Sequence, residues 1–111
     1  MDQRQRTNST LLQEVVHRIR ATASPDKIIL FGSRARGDGR DESDLDILIV
    51  MDSDQPRHKR SLPFYQALSG LGIAKDIVVY TPSEVEEWKT ASCSLVATVL
   101  REGQVLYEDQ P

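Results

Sequence analysis

The first apolar positions of the chain follow the spacing of an amphipathic helix. They recur three and four residues apart and would form one stripe along that helix: Leu11, Leu12, Val15, Val16 and Ile19. Thr10 and Gln13 predict a capping box at its start. The turn-forming segment Ser24-Pro25-Asp26 predicts that the helix ends before it.

Three short apolar runs predict β-strands. The first spans Lys27–Phe31 and is rich in β-branched and aromatic residues. The second covers residues 44–51 and is apolar on both faces after Asp46, which is typical of a central strand. The third run is Lys75–Tyr80, and residues 105–107 predict a short edge strand.

Further helices are predicted between and after these strands. Ser33 is placed to cap a short helix that Gly37 stops, and residues 62–71 form a second helical segment. Thr81-Pro82-Ser83-Glu84 combines a capping threonine, a proline at the first helical position and a glutamate at the third. The last helix has a predicted buried stripe and ends at a glycine: Leu95, Val96, Val99, Leu100 and Gly103. The alternation predicts an α/β (α+β) sandwich.

Composition narrows the class of protein. A chain of 111 residues fits one domain, residues 1–111, with a single modest core. The net charge of −3 argues against a dedicated nucleic-acid binder, and no apolar run approaches the ~20 residues of a membrane span. Cys93 is the single cysteine, and the N-terminus lacks an apolar signal region, so we expect a cytoplasmic protein. The charged segment 52–60, including Arg57–Arg60, is predicted to be a solvated loop.

Two polar motifs lie at the ends of the first two predicted strands. Gly32-Ser33 is followed by ten residues and then by Asp44-Leu45-Asp46. Side chains two apart on a strand point the same way, so Asp44 and Asp46 would present two carboxylates from one face. Asp76 would join them if the third strand lies beside the second. Such a cluster is suited to Mg²⁺, and two ions about 4 Å apart can clamp a phosphoryl displacement.

The glycine-containing motif is suited to phosphate. Gly32 has no Cβ and allows a phosphate to approach the backbone closely. The amides of Ser33 and Arg34 would open a helix, whose dipole favours an anion. Arg34 and Arg36 lie on the same turn and could screen the charge of a triphosphate.

These motifs resemble those of the nucleotidyltransferase superfamily that includes polymerase beta. Phe31-Gly32-Ser33-Arg34-Ala35-Arg36-Gly37, followed by Ser43-Asp44-Leu45-Asp46-Ile47, is similar to the minimal branch called MNT. The resemblance covers a core of about residues 25–107 and implies a small mixed sheet backed by helices. It also implies ATP as donor, Mg²⁺ on Asp44, Asp46 and Asp76, triphosphate on Gly32 and Ser33, and Asp76 as the base that deprotonates the acceptor.

The resemblance also suggests where the acceptor comes from. Larger relatives carry an extra helical domain that holds it, whereas minimal members resemble antitoxins paired with a HEPN-domain toxin. Such an antitoxin transfers AMP to a tyrosine hydroxyl of the toxin. Two alternatives remain open: an antitoxin that neutralises by masking the toxin surface without catalysis, and a nucleotidyltransferase acting on a small molecule.

Overall fold

The computed structural model describes residues 3–32, 35, 44–91 and 94–109, with side chains from residue 10 onward. The described elements, in chain order, are α1 (Gln3–Thr22), β1 (Lys27–Phe31), β2 (Leu45–Val50), α2 (Arg57–Arg60), α3 (Leu62–Ala67), β3 (Lys75–Tyr80), α4 (Pro82–Trp88), α5 (Leu95–Glu102) and β4 (Gln104–Glu108).

The four described strands form one mixed sheet in the order β3-β2-β1-β4. β1 pairs antiparallel with both β2 and β4, whereas β2 and β3 are parallel. The predicted strands are therefore confirmed, including the internal position of β2 and the edge position of β4. The predicted fold class and mixed sheet are confirmed as well.

Helices cover both faces of the sheet. The larger core cluster joins Val15 and Ile19 of α1 and Phe64 of α3 to alternate strand residues such as Ile47 and Ile77. The opposite face packs against α4 and α5 through a smaller cluster that contains Leu48, Val50 and Val99. The apolar alternation of β2 and β3 thus produces a three-layer arrangement.

The capping box at Thr81 is confirmed in both directions. The Glu84 amide donates to Thr81 Oγ1 over 3.2 Å, and the Thr81 amide donates to Glu84 Oε1 over 2.9 Å. Pro82 occupies the first turn. Local sequence is enough to set this helix start because all of the groups lie within one turn.

Several boundary predictions were wrong. α1 begins at Gln3, so Thr10 lies inside the helix and does not cap it. α3 ends at Ala67 and not at residue 71. In α5, Val96 and Val99 are buried as predicted, but Leu95 and Leu100 are 38% and 41% exposed because they lie off the narrow face that meets the sheet.

The segment predicted as a solvated loop contains a short helix, α2, which begins after Pro56. The side chain of its last residue, Arg60, is nearly buried, with only 10% of its surface exposed. Arg60 donates to the nearby Gln55 carbonyl over 2.8 Å, and its other partners lie 19 and 24 residues further along the chain, at Val79 and Glu84. The local sequence therefore could not predict this burial.

Candidate active site

The parallel pairing of β2 and β3 places two of the three predicted carboxylates side by side. Asp46 and Asp76 are register partners on adjacent strands. Asp46 shares its face with Leu48 and Val50, whose side chains pack on the α4 and α5 side of the sheet. Asp44 is exposed and lies one residue before β2. All three carboxylates thus lie at one end of the two strands.

Gly32 lies against this pair at the end of β1. Phe31 is the register partner of Asp46, so the chain reverses direction next to the aspartate. Gly32 has a φ of +79°, a backbone conformation that side chains disfavour. A Cβ at this position would also collide with Asp46 Oδ2 and lie 3.2 Å from Asp46 Cγ. The glycine is therefore required by both backbone conformation and space.

The carboxylates carry charge that no described cation neutralises. Burial raises the pKa of Asp46, and the negative charges of Asp76 and Asp44 raise it further. Among the ion pairs of the described residues, none involves these three aspartates. The three carboxylates attract a cation, since a positive ion would relieve both repulsions.

The described carboxylates do not form a closed coordination sphere. Across residues 3–32, 35, 44–91 and 94–109, no group of three His, Cys, Asp or Glu side chains is arranged tightly enough to hold a metal ion. The oxygen chemistry of the site fits Mg²⁺, whose shell is usually completed by water and phosphate oxygens.

Tyr65 is a residue at this site that the sequence did not identify. Its hydroxyl accepts a hydrogen bond from the Ile77 amide over 2.9 Å and donates to Asp76 Oδ1 over 3.4 Å. Tyr65 lies on α3, eleven residues before Asp76, with no motif between them. Only the packing of α3 beside β3 reveals the contact.

A second charged cluster lies at the other end of β3. Arg60 donates to Glu84 over 2.6 Å and to the Val79 carbonyl over 3.3 Å. Arg57 lies 3.6 Å from Glu84 and stacks its guanidinium on the Tyr80 ring at 4.6 Å. The pKa of Glu84 is lowered to about 2, mainly by the hydrogen bond from Arg60. Burial opposes this shift, whereas the hydrogen bond from the Thr81 amide and the charges of Arg60 and Arg57 add to it.

The remaining predicted phosphate ligands lie outside the described residues. These are Ser33, Arg34 and Arg36, together with the short helix predicted to contain them. The flanking Ala35 is described, and its amide donates to the Gly32 carbonyl over 3.1 Å. Gly32 itself follows the last residue of β1 and lies directly beside Asp46.

The sheet is mixed, and it brings aspartates of two parallel strands next to a glycine turn. This combination is typical of a nucleotidyltransferase. The chain belongs to the polymerase beta nucleotidyltransferase family, whose model matches residues 13–111. The resemblance drawn from the motifs is thereby confirmed, and the substrate of the enzyme is a nucleotide. None of the helices in the described part of the chain has the length and apolar character needed to cross a membrane.

Two relatives from Methanocaldococcus jannaschii are similar in sequence. "Putative protein adenylyltransferase MJ0604" is 42% identical over 83 residues, which cover 73% of this chain and 77% of the relative. "Putative protein adenylyltransferase MJ0141" is 39% identical over 54 residues, covering 49% of this chain and 54% of the relative. The chain therefore spans about half the length of the second relative.

Two solved structures share the fold. A nucleotidyltransferase structure from Sulfolobus solfataricus, itself described as putative, has a TM-score of 0.67 at 21% identity and covers 97% of this chain and 89% of its own. A structure described as a toxin-antitoxin with AMP-PNP has a TM-score of 0.64 at 22% identity, covering 89% and 74%. At these identities the likeness establishes the fold.

Proposed function

We propose that this protein is a Mg²⁺-dependent adenylyltransferase that transfers AMP from ATP to a hydroxyl, that of a tyrosine, on a HEPN-domain toxin and so acts as its antitoxin. The observation that carries the proposal is the pairing of Asp46 with Asp76 directly against Gly32. This arrangement puts carboxylates that no described cation neutralises beside Gly32, where the missing side chain lets a triphosphate approach the backbone.

The metal site would be built from the three aspartates. Asp44, Asp46 and Asp76 would hold one or two Mg²⁺ ions with their carboxylate oxygens, and phosphate and water oxygens would complete the shell. When bound, Mg²⁺ supplies charge stabilisation to the phosphate oxygens. The raised pKa of Asp46 supports this assignment, because its crowded negative charge is what a cation would relieve.

The reaction requires one bond to form and one to break. The acceptor hydroxyl oxygen bonds to the α-phosphorus of ATP, the bond from that phosphorus to the bridging oxygen breaks, and pyrophosphate leaves. Asp76 takes the hydroxyl proton, since it is the exposed carboxylate at the sheet edge where an acceptor can approach. Gly32, Ser33, Arg34 and Arg36 would bind the triphosphate of the donor.

The partner is inferred from the relatives. One structural neighbour is a toxin-antitoxin, and both sequence relatives carry names of protein adenylyltransferases. These names support a protein acceptor over a small molecule. The HEPN identity of the toxin and the tyrosine acceptor come from the resemblance of the motifs to the minimal MNT branch.

A second candidate function is an antitoxin that masks the toxin without transferring AMP. It needs the same partner as AMP transfer, so the toxin-antitoxin among the structural neighbours supports it equally. The two functions differ in one respect that can be measured. A masking antitoxin neutralises the toxin equally well when Asp46 is replaced.

The test is intact-mass spectrometry of the purified toxin after incubation with this protein, ATP and Mg²⁺. We expect the toxin to gain about 329 Da per AMP unit, a change that follows from the chemistry of the transfer. Asp46→Asn should abolish the gain while still binding the toxin. An unchanged toxin mass, with toxin still neutralised by both proteins, would reject catalysis in favour of masking.

A further inference from the structure

The free edge of β3 is closed by a side chain that also reaches the active site. β3 bonds to β2 through its even-numbered residues, as shown by the Leu45 amide donating to the Ala74 carbonyl and the Met51 amide donating to Tyr80. In a parallel pair the intervening residues face the other way. The Ile77 amide therefore points out of the described sheet, where β3 is the last strand.

Tyr65 satisfies this outward amide. The Ile77 amide donates to Tyr65 Oη over 2.9 Å, an ordinary length for such a bond. The Tyr65 ring packs against the larger core cluster, and the neighbouring Phe64 is 2% exposed. The phenol oxygen is thus held by a helix anchored in the core through Phe64 on one side and by the backbone of β3 on the other.

With its oxygen fixed, the phenol directs its one proton at Asp76. Tyr65 Oη lies 3.4 Å from Asp76 Oδ1. This is long for an O–H···O bond, but hydrogen bonds of catalytic groups are often long in a free enzyme and tighten in its complexes. No ion pair among the described residues involves Asp76, and the Tyr65 phenol is a polar side chain that contacts it directly.

We propose that Tyr65 is a positioning residue for AMP transfer: its hydroxyl, held by the Ile77 amide, orients the Asp76 carboxylate towards the acceptor hydroxyl. The inference rests on the proposed function, in which Asp76 takes the acceptor proton. Tyr65 itself keeps its proton throughout the reaction. Its phenol takes up one lone pair of Asp76 Oδ1, and the remaining lone pairs of the carboxylate are left for the cation and the acceptor hydroxyl.

Self-modification of Tyr65 is the competing interpretation of the same contact. Asp76 lies on the sheet face of Val78 and Tyr80, whereas Tyr65 reaches the strand edge from the opposite face. The phenol therefore contacts the carboxylate from the side away from Asp46. That geometry suits support of Asp76 and does not suit attack on a nucleotide held at the aspartates.

The first test compares Tyr65→Phe with Tyr107→Phe. Both variants lose a phenol hydroxyl and keep a ring packed on the same core, but the Tyr107 hydroxyl contacts Asp109 at 3.5 Å, at the far edge of the sheet. We expect Tyr65→Phe to lower kcat for AMP transfer about tenfold, with KM for ATP within twofold of the wild type. Tyr107→Phe should leave both unchanged.

A second measurement does not depend on the folding of a Tyr65 variant. In protein labelled with ¹³C at tyrosine Cζ, Asp76→Asn should shift the Tyr65 resonance, because it replaces the carboxylate that accepts the phenol proton. The Tyr80 and Tyr107 resonances should stay in place and serve as references. An unmoved Tyr65 resonance would overturn the proposed contact.

The failures of the two proposals are distinguishable. Absence of AMP transfer by the wild-type protein would reject the proposed function itself. Wild-type transfer by Asp76→Asn would reject Asp76 as the base, and with it the role of Tyr65. Abolished transfer in Asp76→Asn together with full kcat in Tyr65→Phe would reject only the role of Tyr65. A fall in Tyr65→Phe activity that merely follows its folded fraction would also reject that role. So would AMP added to Tyr65 of this chain in the absence of any partner.

Discussion

Two charged clusters lie at opposite ends of β3. The carboxylates of Asp46 and Asp76 lie at its start and the ion pair of Arg60 and Glu84 at its end, and the balance of charge differs between them. At the first, like charges meet without a described cation and the pKa of Asp46 rises. At the second, arginines surround one carboxylate and the pKa of Glu84 falls to about 2. Paired charges of opposite sign stabilise the fold, whereas a cluster of like charges is typical of a ligand-binding site.

The Arg60–Glu84 cluster links three elements. Arg60 extends from α2 to the carbonyl of Val79 on β3 and to Glu84 on α4, whose carboxylate also caps the helix through Thr81. Removing Glu84 would therefore remove the ion pair that joins α2 to α4. Replacing the Asp46 carboxylate would, by contrast, relieve the cost of burying its charge and its repulsion by Asp76 and Asp44. This contrast can be tested at several sites.

The largest expected effect is at Gly32. Gly32→Ala forces a Cβ into the Asp46 carboxylate, and a displacement of about 1 Å at a reacting centre can lower transfer roughly 100-fold. Gly70→Ala is the matched control, because Gly70 also has a positive φ, +87°, but no neighbouring atom within 4 Å of its added Cβ. Both variants should lose stability because of the positive φ, Gly32→Ala more because of its added collision, and the rate of AMP transfer per folded molecule should fall in Gly32→Ala alone. Equal rates in the two would show that the carboxylate position is unimportant.

The next effect is on stability at the Arg60–Glu84 cluster. Glu84→Gln removes the carboxylate that Arg60 and Arg57 share, and should lower the free energy of unfolding by about 1–3 kcal/mol. Transfer per folded molecule should remain unchanged. Glu86→Gln is the control: its side chain is 70% exposed and pairs with Lys89, so its loss should change stability by less than about 1 kcal/mol. Urea unfolding of the three proteins measures the difference.

A smaller effect is expected from Mg²⁺, which should stabilise the protein through the aspartate cluster and not through the Arg60–Glu84 cluster. A cation bound at the aspartates stabilises the folded state by about 1.4 kcal/mol at ten times its dissociation constant. Thermal unfolding at constant ionic strength should show this gain in the wild type and in Glu84→Gln, but not in Asp46→Asn. A gain of equal size in Asp46→Asn would place the cation elsewhere.

The smallest effect is the pH dependence of the Arg60–Glu84 cluster. The pKa of Glu84 in the folded protein, about 2, is below its ordinary value of 4.5, so the unfolded chain binds the proton first as pH falls. The stabilisation is complete above pH 4.5 and is lost towards pH 2. The difference in unfolding free energy between wild type and Glu84→Gln should therefore shrink by about half or more between pH 6 and pH 3. A constant difference would mean that packing, and not charge, is lost in the variant.

The sequence predicted the elements whose signals are local. β1, β2 and β3 are runs of β-branched residues, and the capping box at Thr81 lies within four residues. The aspartates were predicted together because alternation places Asp44 and Asp46 on one face, and the condition for adding Asp76, adjacency of β2 and β3, is met.

The contacts that the sequence did not predict join residues far apart in the chain. Arg60 lies in a charged run that reads as solvated, yet it is buried by partners 19 and 24 residues away. Tyr65 belongs to a short helix with no motif, and its contact with Asp76 exists only because α3 packs beside β3. Helix starts without a sharp local signal, such as that of α1, were also misplaced.

The most direct test of the contrast between the clusters is the free energy of unfolding of Asp46→Asn at pH 7 without divalent cations. Because the folded pKa of Asp46 is raised, its ionised form destabilises the fold above that pKa, and this penalty disappears as pH falls below 3.8. We predict that Asp46→Asn is more stable than the wild type at pH 7 and that this gain in the free energy of unfolding vanishes in acid. AMP transfer should be lost in the variant. A variant less stable than the wild type at pH 7 would contradict it, because Asp46 would then support the fold as Glu84 does.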